Sequence, residues 1–345
     1  MNLEPPLISV VVPVHQGGPA LARCLAALRA SEFKDFEIVV ADDASTDGAA
    51  EGLGDDVKVV RLARRSGPAA ARNAGARAAR GPLLLFVDAD VLVRPGTLSR
   101  VASDFERRPE IAALFGSYDD APAEPDFVSQ YKNLQHHFTH QRGREEAETF
   151  WAGCGAVRRE AFEAAGGFDE ARYTEPSVED IELGYRLRRS GYPILLDKAL
   201  QVKHLKRWTL RSLLRADIFR RAVPWSRLIL ERRGMINDLN LRATERACAC
   251  LVALSAAALA LSALEPLLLA AAAALLASVA VLNREMYAFF LQRRGVRFAA
   301  LAFALHALYY LYSGATFALL WLAHALKGRR AAASGLEHAQ SKSRG

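Results

Sequence analysis

Cysteine and methionine are scarce in this chain, with four and three residues respectively among 345. The cysteines have neither the spacing of a metal site nor the pattern of a disulfide framework, and Cys248 and Cys250 lie in an apolar run where a thiol behaves as a small hydrophobe. Residues 1–6 lack the basic start and long apolar core of a signal peptide, so we expect the N-terminal part to stay in the cytoplasm. The turn at residues 14–19 lacks the glycine spacing of a dinucleotide-binding loop, which argues against a dinucleotide-dependent oxidoreductase.

Charge is distributed unevenly along the chain. The formal net charge is +7, yet residues 201–246 alone hold 12 Lys or Arg and four Asp or Glu. This segment leads directly into apolar sequence, a pattern that favours anionic lipid headgroups over nucleic acid as its partner. Leu210, Leu214 and Ile218 recur at helical spacing beside a row of arginines, so we predict basic amphipathic interface helices over residues 206–246. A solvated basic helix packed on a neighbouring domain is the alternative.

Charge is nearly absent from two long stretches near the C-terminus. Residues 247–282 contain one charged residue, Glu265, followed by Pro266, and residues 299–326 contain none. Two short spans joined by a tight turn and one longer span are predicted, which makes about three transmembrane helices over residues 247–326. The alternatives are a re-entrant or paired arrangement and an Ala-rich soluble bundle, although soluble helices should show charged faces.

Basic residues indicate the orientation of these spans. Arg284 and the cluster at residues 292–297 suit the cytoplasm, whereas the Glu265-Pro266 loop carries no basic residue and suits the exported side. We therefore expect an inner (plasma) membrane protein with its N-terminal domain on the cytoplasmic face. Residues 327–345 are predicted to form a polar flexible tail. Their basic residues conflict with the exported position that a third span would give them, so the side of the tail stays open.

Strand and helix patterns alternate in the N-terminal half. Apolar, β-branched runs predict buried strands at residues 7–13, 36–41, 57–62 and 82–87, separated by helical patterns at 20–30 and 68–79. Coarser patterns predict helices at 127–140 and 178–190 and short strands near 149–158, 193–196 and 201–204. This alternation predicts an α/β domain over residues 1–205 with a doubly wound, mostly parallel sheet.

Acidic side chains follow two of the predicted strands. Asp42 and Asp43 come after the second strand, and Asp88 and Asp90 directly follow the fourth. Because ligands bind at the carboxyl ends of parallel strands, we expect these carboxylates to meet at one edge of the sheet. Two carboxylates two residues apart can hold a hard divalent cation against phosphate oxygens. The pattern therefore predicts an enzyme that handles a nucleoside diphosphate.

Six short segments occur in a consistent order along residues 7–205. They are residues 11–14, 40–48, 71–75 (Ala-Arg-Asn-Ala-Gly), 86–90 (Phe-Val-Asp-Ala-Asp), 166–170 (Gly-Gly-Phe-Asp-Glu) and 179–187. Each is weak by itself, but their order and placement resemble family 2 glycosyltransferases with the GT-A fold, of the membrane-attached bacterial type. The resemblance implies a nucleotide-sugar donor, with UDP as the expected nucleotide, and an inverting transfer that depends on Mg²⁺ or Mn²⁺.

The resemblance also implies a set of donor-binding residues. They are Pro13, Val14, Asp42, Asp43, Arg72, Asn73 and Asp88. Pro13 and Val14 would line the nucleoside site through their backbone, and Asp42 or Asp43 would accept hydrogen bonds from the base or the ribose. Arg72 would contact the donor together with its neighbour Asn73.

The metal and catalytic residues follow from the same resemblance. Asp88 and Asp90 would engage the cation that bridges the diphosphate, and His204 would be a further metal or phosphate ligand. Asp180 would be the catalytic base, because an attacking hydroxyl needs a carboxylate within about 3 Å to take its proton. Glu179 would orient the acceptor or tune Asp180 through its like charge.

The acceptor is less well defined by the sequence. Trp151 and Gly153 are predicted to lie on the acceptor side. A polyprenyl phosphate is already an anionic nucleophile and needs no base, so the Glu179-Asp180 pair favours a hydroxyl on a membrane-associated glycan or lipid; transfer to polyprenyl phosphate is the alternative. The segment 205–208, Leu-Lys-Arg-Trp, lacks the Gln of the Gln-x-x-Arg-Trp motif of the family's processive synthases, so single addition is predicted.

Structural roles compete with these functional ones. The first acidic pair could form a turn and helix cap with Ser45 and Asp47, and the Glu179-Asp180 pair could cap its helix. Trp151 could pack in the core, and His204 could be an ordinary residue at a strand end. A membrane scaffold with a degenerate nucleotide fold is the competing class of protein, although the intact acidic clusters argue against it.

Overall fold

A computed structural model of the chain describes residues 4–232, 239 and 242–342. These residues form two compact units, residues 1–212 with 238–240 and residues 213–237 with 241–345, which are described separately. The division falls inside the predicted interface segment 206–246, part of which lies outside the described residues, so the separate interface domain stays a prediction.

The first unit is built from strands alternating with helices. Its strands are β1 (Ile8–Val14), β2 (Phe36–Asp42), β3 (Val57–Arg61), β4 (Leu83–Val87), β5 (Val91–Leu92), β6 (Ala113–Tyr118), β7 (Glu146–Ala147), β8 (Cys154–Arg158) and β9 (Ile194–His204). Its helices are α1 (Gly18–Arg29), α2 (Pro68–Ala78), α3 (Thr97–Arg107), α4 (Phe127–Gln141), α5 (Arg159–Ala164) and α6 (Glu179–Arg189). The predicted elements of the first 90 residues are confirmed to within about two residues at each end.

The sheet has the strand order β3-β2-β1-β4-β8-β6-β9-β5, with β7 paired to β9. The first four strands are parallel, and the order reverses at β1, as in a doubly wound fold. Their apolar sequences suit burial on both faces, and every residue of β4 is buried. The core between sheet and helices is formed mainly by Val, Leu and Ile side chains from β1, β2, β4 and α1.

Helix α2 packs unusually close to this sheet. A Cβ on Gly75 would lie 2.4 Å from Cγ1 of Val11, so only glycine permits this approach. The Ala-Arg-Asn-Ala-Gly segment therefore has a packing function at its last residue. The close packing places Arg72 and Asn73 of the same helix against the interior of the unit, where both are buried.

The other half of the sheet is mixed, and its longest pairing, between β6 and β9, is parallel like the first half. Strand β8 lies antiparallel between β4 and β6, and β5 and β7 pair antiparallel with β9. Strand β6 was not predicted. The two short strands predicted at 193–196 and 201–204 are one strand, β9, with an irregularity where it passes Gly116 of β6.

The second unit is helical. It contains the end of α7 (Leu210–Arg215), a π-helix at Ala216–Ala222, α8 (Val223–Arg232), α9 (Ala243–Leu261), α10 (Leu267–Leu282) and α11 (Arg284–Lys342). Leu210 is 48% exposed, whereas Leu213 and Ala216 are buried. The amphipathic face of Leu210, Leu214 and Ile218 on a membrane surface stays a prediction.

Helices α9 to α11 are rich in apolar residues. Ala243–Leu261 and Arg284–Leu326 are long and apolar enough to cross a membrane, and α10 is a shorter apolar helix of 16 residues. The predicted tight turn at Glu265-Pro266 separates α9 from α10. Gly295 interrupts α11 with a φ of 83°, so the predicted third span lies beyond a break in the helix.

The number of spans stays a prediction. α11 continues to Lys342, so most of the predicted flexible tail at 327–345 is helical, and its last three residues lie outside the described part of the chain.

Buried polar contacts connect the helices of this unit. The hydroxyl of Tyr310 donates to Glu245 at 2.7 Å, and that of Tyr312 donates to Asp217 at 2.8 Å.

Candidate active site

The carboxyl edge of the first four strands gathers the predicted acidic residues. β1 ends at Val14, β2 ends at Asp42, and β4 ends at Val87, directly before Asp88. Val14 and Asp42 are partners in the β1–β2 register. The strand order reverses between β2 and β4 on either side of β1, and open α/β sheets bind ligands at such a switch point. The structure therefore brings these elements together at one edge, as predicted.

Asp42 is fully buried and its carboxylate is held by protein groups. Oδ1 accepts a hydrogen bond from the backbone N–H of Ser45 at 2.9 Å, and Oδ2 accepts one from Nε of Arg61 at 2.9 Å. The Ser45 contact closes a local turn of the kind that aspartate favours. The turn alternative thus describes Asp42, and its hydrogen bond to the base or ribose stays a prediction.

Asp43 connects the strand edge to the loop before α2. Its Oδ1 accepts from the N–H of Ser66 at 2.6 Å and its Oδ2 from the N–H of Gly67 at 2.8 Å. Its own N–H donates to the Val14 carbonyl at 2.8 Å. Asp43 therefore fixes the loop before α2. Its predicted hydrogen bond with the base or the ribose of the donor stays a prediction. The nucleoside contacts of Pro13 and Val14 stay predictions.

Asp88, Asp90 and His204 lie together beside this edge. Val91 pairs with His204 between β5 and β9, which brings the end of β9 next to Asp90. Oδ2 of Asp90 lies 3.5 Å from Nε2 of His204. The Asp88 and Asp90 side chains are 32% and 33% exposed, so both reach solvent. The Tyr118 ring stacks on the His204 ring, with 4.1 Å between centroids and 8° between planes.

The two carboxylates of this cluster differ in acidity. Burial raises the pKa of Asp88, and the charge of Asp90 adds to the rise, although Arg72 opposes both. Burial acts in the same direction on Asp90, but the hydrogen bond and charge of His204 outweigh it and lower the pKa. Asp90 is therefore the member of the pair that stays ionised at lower pH.

The chemistry of the cluster fits Mg²⁺ or Mn²⁺. Carboxylate oxygens suit both ions, and Mg²⁺ in nucleotide enzymes is commonly bound by one or two carboxylates plus substrate phosphates. Within the described residues, no group of three or more His, Cys, Asp and Glu side chains is already arranged to hold a metal. The predicted set of Asp88, Asp90 and His204 is thus not a complete protein cage, and a cation here would need diphosphate oxygens as well.

Asp180 lies in the first turn of α6. Its Oδ2 accepts from the N–H of Ala152 at 3.1 Å and its Oδ1 from the N–H of Ile181 at 2.8 Å. The N-cap position is Val178, whose side chain makes no capping hydrogen bond. The capping alternative thus describes one contact of Asp180, because the Ile181 N–H belongs to the first turn of the helix, where the dipole also favours carboxylates. The role of Asp180 as a base stays a prediction.

The surroundings of Asp180 change its acidity. Burial raises the pKa of Asp180 to about 7, and the charge of Glu179 adds to the rise, while Arg72 and the two N–H groups limit it. A carboxylate with a pKa near neutrality takes up a proton at the working pH far more readily than an ordinary aspartate. These properties suit a general base.

Arg72 joins the two acidic groups. Its Nη2 donates to Oδ1 of Asp88 at 2.8 Å and its Nη1 donates to Oε1 of Glu179 at 2.8 Å. The guanidinium lies 5.5 Å from the centroid of the Phe168 ring. The second oxygen of Glu179 accepts from the N–H of Ser177 at 2.8 Å. The positive charge of Arg72 is thus paired with two carboxylates, those of Asp88 and Glu179. The contact of Arg72 with the donor stays a prediction.

Asn73 holds the Gly-Gly-Phe-Asp-Glu segment. Its Nδ2 donates to the Phe168 carbonyl and to Oε2 of Glu170, both at 2.8 Å, and its Oδ1 accepts from the Phe168 N–H at 2.9 Å. Two segments that are about 95 residues apart in sequence are therefore one structural element. The predicted donor contact of Asn73 stays a prediction.

The segment containing Trp151 and Gly153 connects Asp180 to Asp88. The N–H of Ala152, in the middle of this segment, donates to Oδ2 of Asp180, and the Gly153 carbonyl accepts from the N–H of Asp88 at 3.2 Å. A Cβ on Gly153 would lie 2.4 Å from the Trp151 ring, so only glycine fits beneath that ring. The ring is half-buried, with its centroid 4.9 Å from that of Tyr118. The packing role of Trp151 is thus visible, and its acceptor role stays a prediction.

Sequence reasoning missed two aromatic neighbours of the site. Tyr118 stacks on His204, and His136 of α4 lies 4.3 Å from the Tyr118 centroid and 4.8 Å from that of Trp151. Tyr118 ends β6, which was not predicted, although the apolar run at residues 111–115 was an available signal. His136 had no signal in the sequence, because only the packing of α4 brings it here.

Known proteins show the same N-terminal domain. Residues 9–166 match the family described as Glycosyl transferase family 2. The chain carries a family 2 glycosyltransferase domain. Validoxylamine A glucosyltransferase of Streptomyces hygroscopicus subsp. jinggangensis is 29% identical over 229 residues, which are 56% of this chain and 54% of that protein. Pre-mycofactocin glycosyltransferase of Mycobacterium tuberculosis is 28% identical over 217 residues, 59% of this chain and 44% of that protein. The chain thus matches about half the length of these relatives.

Solved structures extend the likeness from the sequence to the fold. A mannosyltransferase from Pyrobaculum calidifontis in complex with GDP-Man and Mn²⁺ has a TM-score of 0.57 at 20% identity, covering 91% of this chain and 87% of that one. TarS 1–349 of S. aureus in complex with UDP-GlcNAc has a TM-score of 0.51 at 18% identity, covering 70% and 69%. The predicted GT-A fold is confirmed.

Proposed function

We propose that this chain is a metal-dependent, inverting glycosyltransferase that moves a sugar from a nucleotide-sugar donor to a hydroxyl of a membrane-associated glycan or lipid. The observation that carries the proposal is the half-buried Asp180, whose pKa is raised to about 7. Its neighbour Glu179 is joined through Arg72 to Asp88. A proton acceptor and a cation-binding carboxylate thus belong to one bonded group at the ligand-binding edge of the sheet.

Asp180 acts as the general base in this proposal. The acceptor hydroxyl attacks the anomeric carbon from the face opposite the nucleoside diphosphate. The new C–O bond forms as the bond to the leaving phosphate oxygen breaks, and the hydroxyl proton passes to Asp180. One such displacement inverts the anomeric configuration. Glu179 keeps the first turn of α6 in place, and its negative charge adds to the rise in the pKa of Asp180 that burial causes.

Asp88 and Asp90, with His204 beside them, would hold Mg²⁺ or Mn²⁺. When bound, the cation would offset the charge that develops on the leaving nucleoside diphosphate. The two neighbours of known structure were solved with GDP-Man and with UDP-GlcNAc, which supports a nucleotide sugar as donor. Because they carry different nucleotides, UDP rests on the family resemblance alone.

A hydroxyl acceptor is favoured over a phosphate by the base itself. An aspartate with a raised pKa has no use in a reaction whose nucleophile is already an anion. The half-buried Trp151 ring next to the Asp180 contact would lie against a sugar ring of the acceptor. Polyprenyl phosphate remains the competing acceptor, and it is distinguished by experiment below.

Membrane attachment is proposed for the helical unit. Only 17% of the apolar window of Ala243–Leu261 and 22% of that of Arg284–Leu326 are buried, unlike the core helices of a soluble protein. Large apolar side chains such as Leu264 and Leu319 are 82% and 69% exposed. With the basic residues at 284 and 292–297, this supports an inner (plasma) membrane location with the catalytic unit on the cytoplasmic face and anionic lipids as partners.

The decisive experiment screens sugar nucleotides for metal-dependent turnover. The full chain, purified in detergent or nanodiscs, is incubated with a panel of UDP-, GDP- and dTDP-sugars, with Mn²⁺, with Mg²⁺ or with EDTA. We expect release of nucleoside diphosphate from one donor class, with EDTA abolishing it. Absence of release from every donor with either ion would contradict the proposal and favour a binding or scaffold protein.

The acceptor class is tested once a donor is known. Glycolipids and oligosaccharides with free hydroxyls are compared with polyprenyl phosphate, and the products are analysed by mass spectrometry. We expect transfer to a hydroxyl with inversion, which NMR of the anomeric proton reports. Transfer to polyprenyl phosphate alone would establish the alternative.

A further inference from the structure

Arg72 lies between two carboxylates that belong to different segments of the chain. Asp88 follows β4 and Glu179 opens α6, and a single guanidinium donates to both, at 2.8 Å in each case. Arg72 itself is 5% exposed. The contact therefore joins, inside the protein, the segment that would bind the cation and the segment that carries the base.

The burial of this charge makes its partners decisive. A buried cation is tolerated only when it is paired and hydrogen-bonded, and breaking one side of such a pair is strongly destabilising. The Nε–H of Arg72 is buried with no hydrogen-bond partner among the described residues. The position of the guanidinium is thus determined by the two carboxylates and by the Phe168 ring beneath it.

Each carboxylate is constrained in a way that matters for the chemistry. Glu179 is held at both oxygens, by Arg72 and by the N–H of Ser177, which fixes the residue directly before Asp180. Oδ1 of Asp88 accepts a hydrogen bond from Arg72, and the described part of the chain provides no hydrogen-bond donor for its Oδ2. That oxygen remains available to a cation.

We propose that Arg72 is a positioning residue that fixes Asp88 and Glu179 relative to each other, and so aligns the cation-binding carboxylate with the base, rather than a residue that contacts the donor. The inference rests on the proposed function. It differs from the role that the family resemblance suggested for Arg72. It also assigns a task to Glu179, which transmits the constraint to Asp180.

Lysine and glutamine separate the charge from the geometry. A lysine keeps the positive charge but is a single point donor, whereas the planar guanidinium presents two donors in a fixed fork. Glutamine removes the charge that competes with a cation for Asp88. The matched control is Arg77→Gln on the same helix. Arg77 is 67% exposed, and its ion pair with Glu170 is long, with 3.9 Å between Nη1 and Oε2.

The experiment compares Arg72→Lys, Arg72→Gln and Arg77→Gln in the full chain. Steady-state transfer gives kcat and the donor KM, fluorescence or calorimetry gives UDP and GDP affinities, and Mn²⁺ electron paramagnetic resonance gives the affinity for the ion alone. For Arg72→Lys we expect kcat to fall about 10- to 100-fold, as for residues that orient metal ligands, with nucleotide affinity changed less than about threefold. For Arg72→Gln we expect tighter binding of Mn²⁺ alone, by severalfold, together with slower turnover. Arg77→Gln should match the wild type.

Different results would contradict the positioning role of Arg72 and the proposed glycosyltransferase function. A loss of nucleotide affinity that accounts for the whole loss of kcat/KM in Arg72→Lys would overturn the inference and make Arg72 a donor ligand. Unchanged kcat in both Arg72 variants would overturn it as well. A wild type that binds neither Mn²⁺ nor a nucleotide would instead reject the proposed function.

A double variant keeps the test valid if Arg72→Gln fails to fold. When Arg72 acts through Glu179, the Arg72→Lys/Glu179→Gln double variant should lose little more activity than the more impaired single variant. Losses in kcat that multiply would show independent roles and overturn the inference. Thermal denaturation of all variants controls for folding.

Discussion

Two pairs of adjacent carboxylates, Asp42-Asp43 and Glu179-Asp180, lie in the same unit and differ in how the protein uses them. In the first pair each oxygen accepts a hydrogen bond from a loop N–H or from Arg61, so both residues hold backbone in place. In the second pair Glu179 accepts a hydrogen bond from the buried guanidinium of Arg72. Burial, with the like charge of Glu179 beside it, raises the pKa of Asp180 to about 7.

The comparison shows that an aspartate becomes reactive through its neighbours rather than through its identity. A carboxylate whose partners are distant loop groups stabilises the fold and should respond to mutation with a loss of stability. A carboxylate kept next to another anion is poised to take a proton and should respond with a loss of turnover. The two pairs can therefore be distinguished by which quantity changes.

The largest effect is expected for Asp180→Asn. Removing the proposed general base should lower kcat by about 10²- to 10⁴-fold while the donor affinity stays unchanged. Stability should be unchanged or slightly higher, because a raised pKa means that folding disfavours the ionised carboxylate. Asp35→Asn, an exposed aspartate, is the matched control. Full transfer by Asp180→Asn would remove the base and favour the polyprenyl phosphate acceptor.

The pH dependence of transfer should follow Asp180. The base works in its ionised form, and its pKa is raised to about 7, so kcat at saturating Mn²⁺ should fall as the pH drops below 7. The expected slope is about tenfold per pH unit. In Glu179→Gln the like charge is gone, so the midpoint should move to lower pH. A midpoint that stays in place, or moves upward, would contradict the tuning role of Glu179.

A smaller and different effect is expected for Asp43→Asn. Asparagine has one acceptor oxygen, so one of the N–H groups of Ser66 and Gly67 would face an amide NH₂. An unsatisfied buried donor costs about 1–3 kcal/mol of the free energy of unfolding. Thermal denaturation should show the loss, and the donor KM should rise more than kcat falls. Unaltered stability would mean that the loop before α2 does not depend on Asp43.

The smallest effect on turnover is expected for Arg61→Met. Arg61 is 53% exposed, but its partner Asp42 is fully buried, so the substitution removes the hydrogen bond to one oxygen of a buried carboxylate. We expect the free energy of unfolding to fall by about 1–3 kcal/mol and kcat to remain within about twofold. Denaturant unfolding of the catalytic unit measures the first quantity. A severe loss of activity would place Asp42 in the chemistry rather than in the turn.

The positions of the acidic residues could be predicted because local sequence determines them. Apolar runs define β1, β2 and β4, and Asp42 and Asp88 follow from where those runs end. Asp180 follows from the helical pattern of α6. Local signals of this kind depend on periodicity over a few residues, which one sequence contains.

The partners of those residues could not be predicted in the same way. The contact of Arg72 with Glu179 spans 107 positions, and that of Asn73 with Phe168 spans 95. Tyr118 reaches His204 only because β6 and β9 pair, and β6 has a glycine and a serine that weaken its strand pattern. The antiparallel insertion of β8 is likewise a property of the whole sheet rather than of its own five residues.

The direction of β8 has a consequence for how proteins of this design can diversify. Because β8 runs opposite to β4, with Cys154 beside Val87, the residues that enter β8 reach the carboxyl edge of β4. The elements proposed to face the nucleotide are all encoded before residue 93, whereas the wall formed by β8 comes from a later stretch. Under the proposed function, insertions or exchanges in that later stretch would change the acceptor side while the donor-binding half stays as it is.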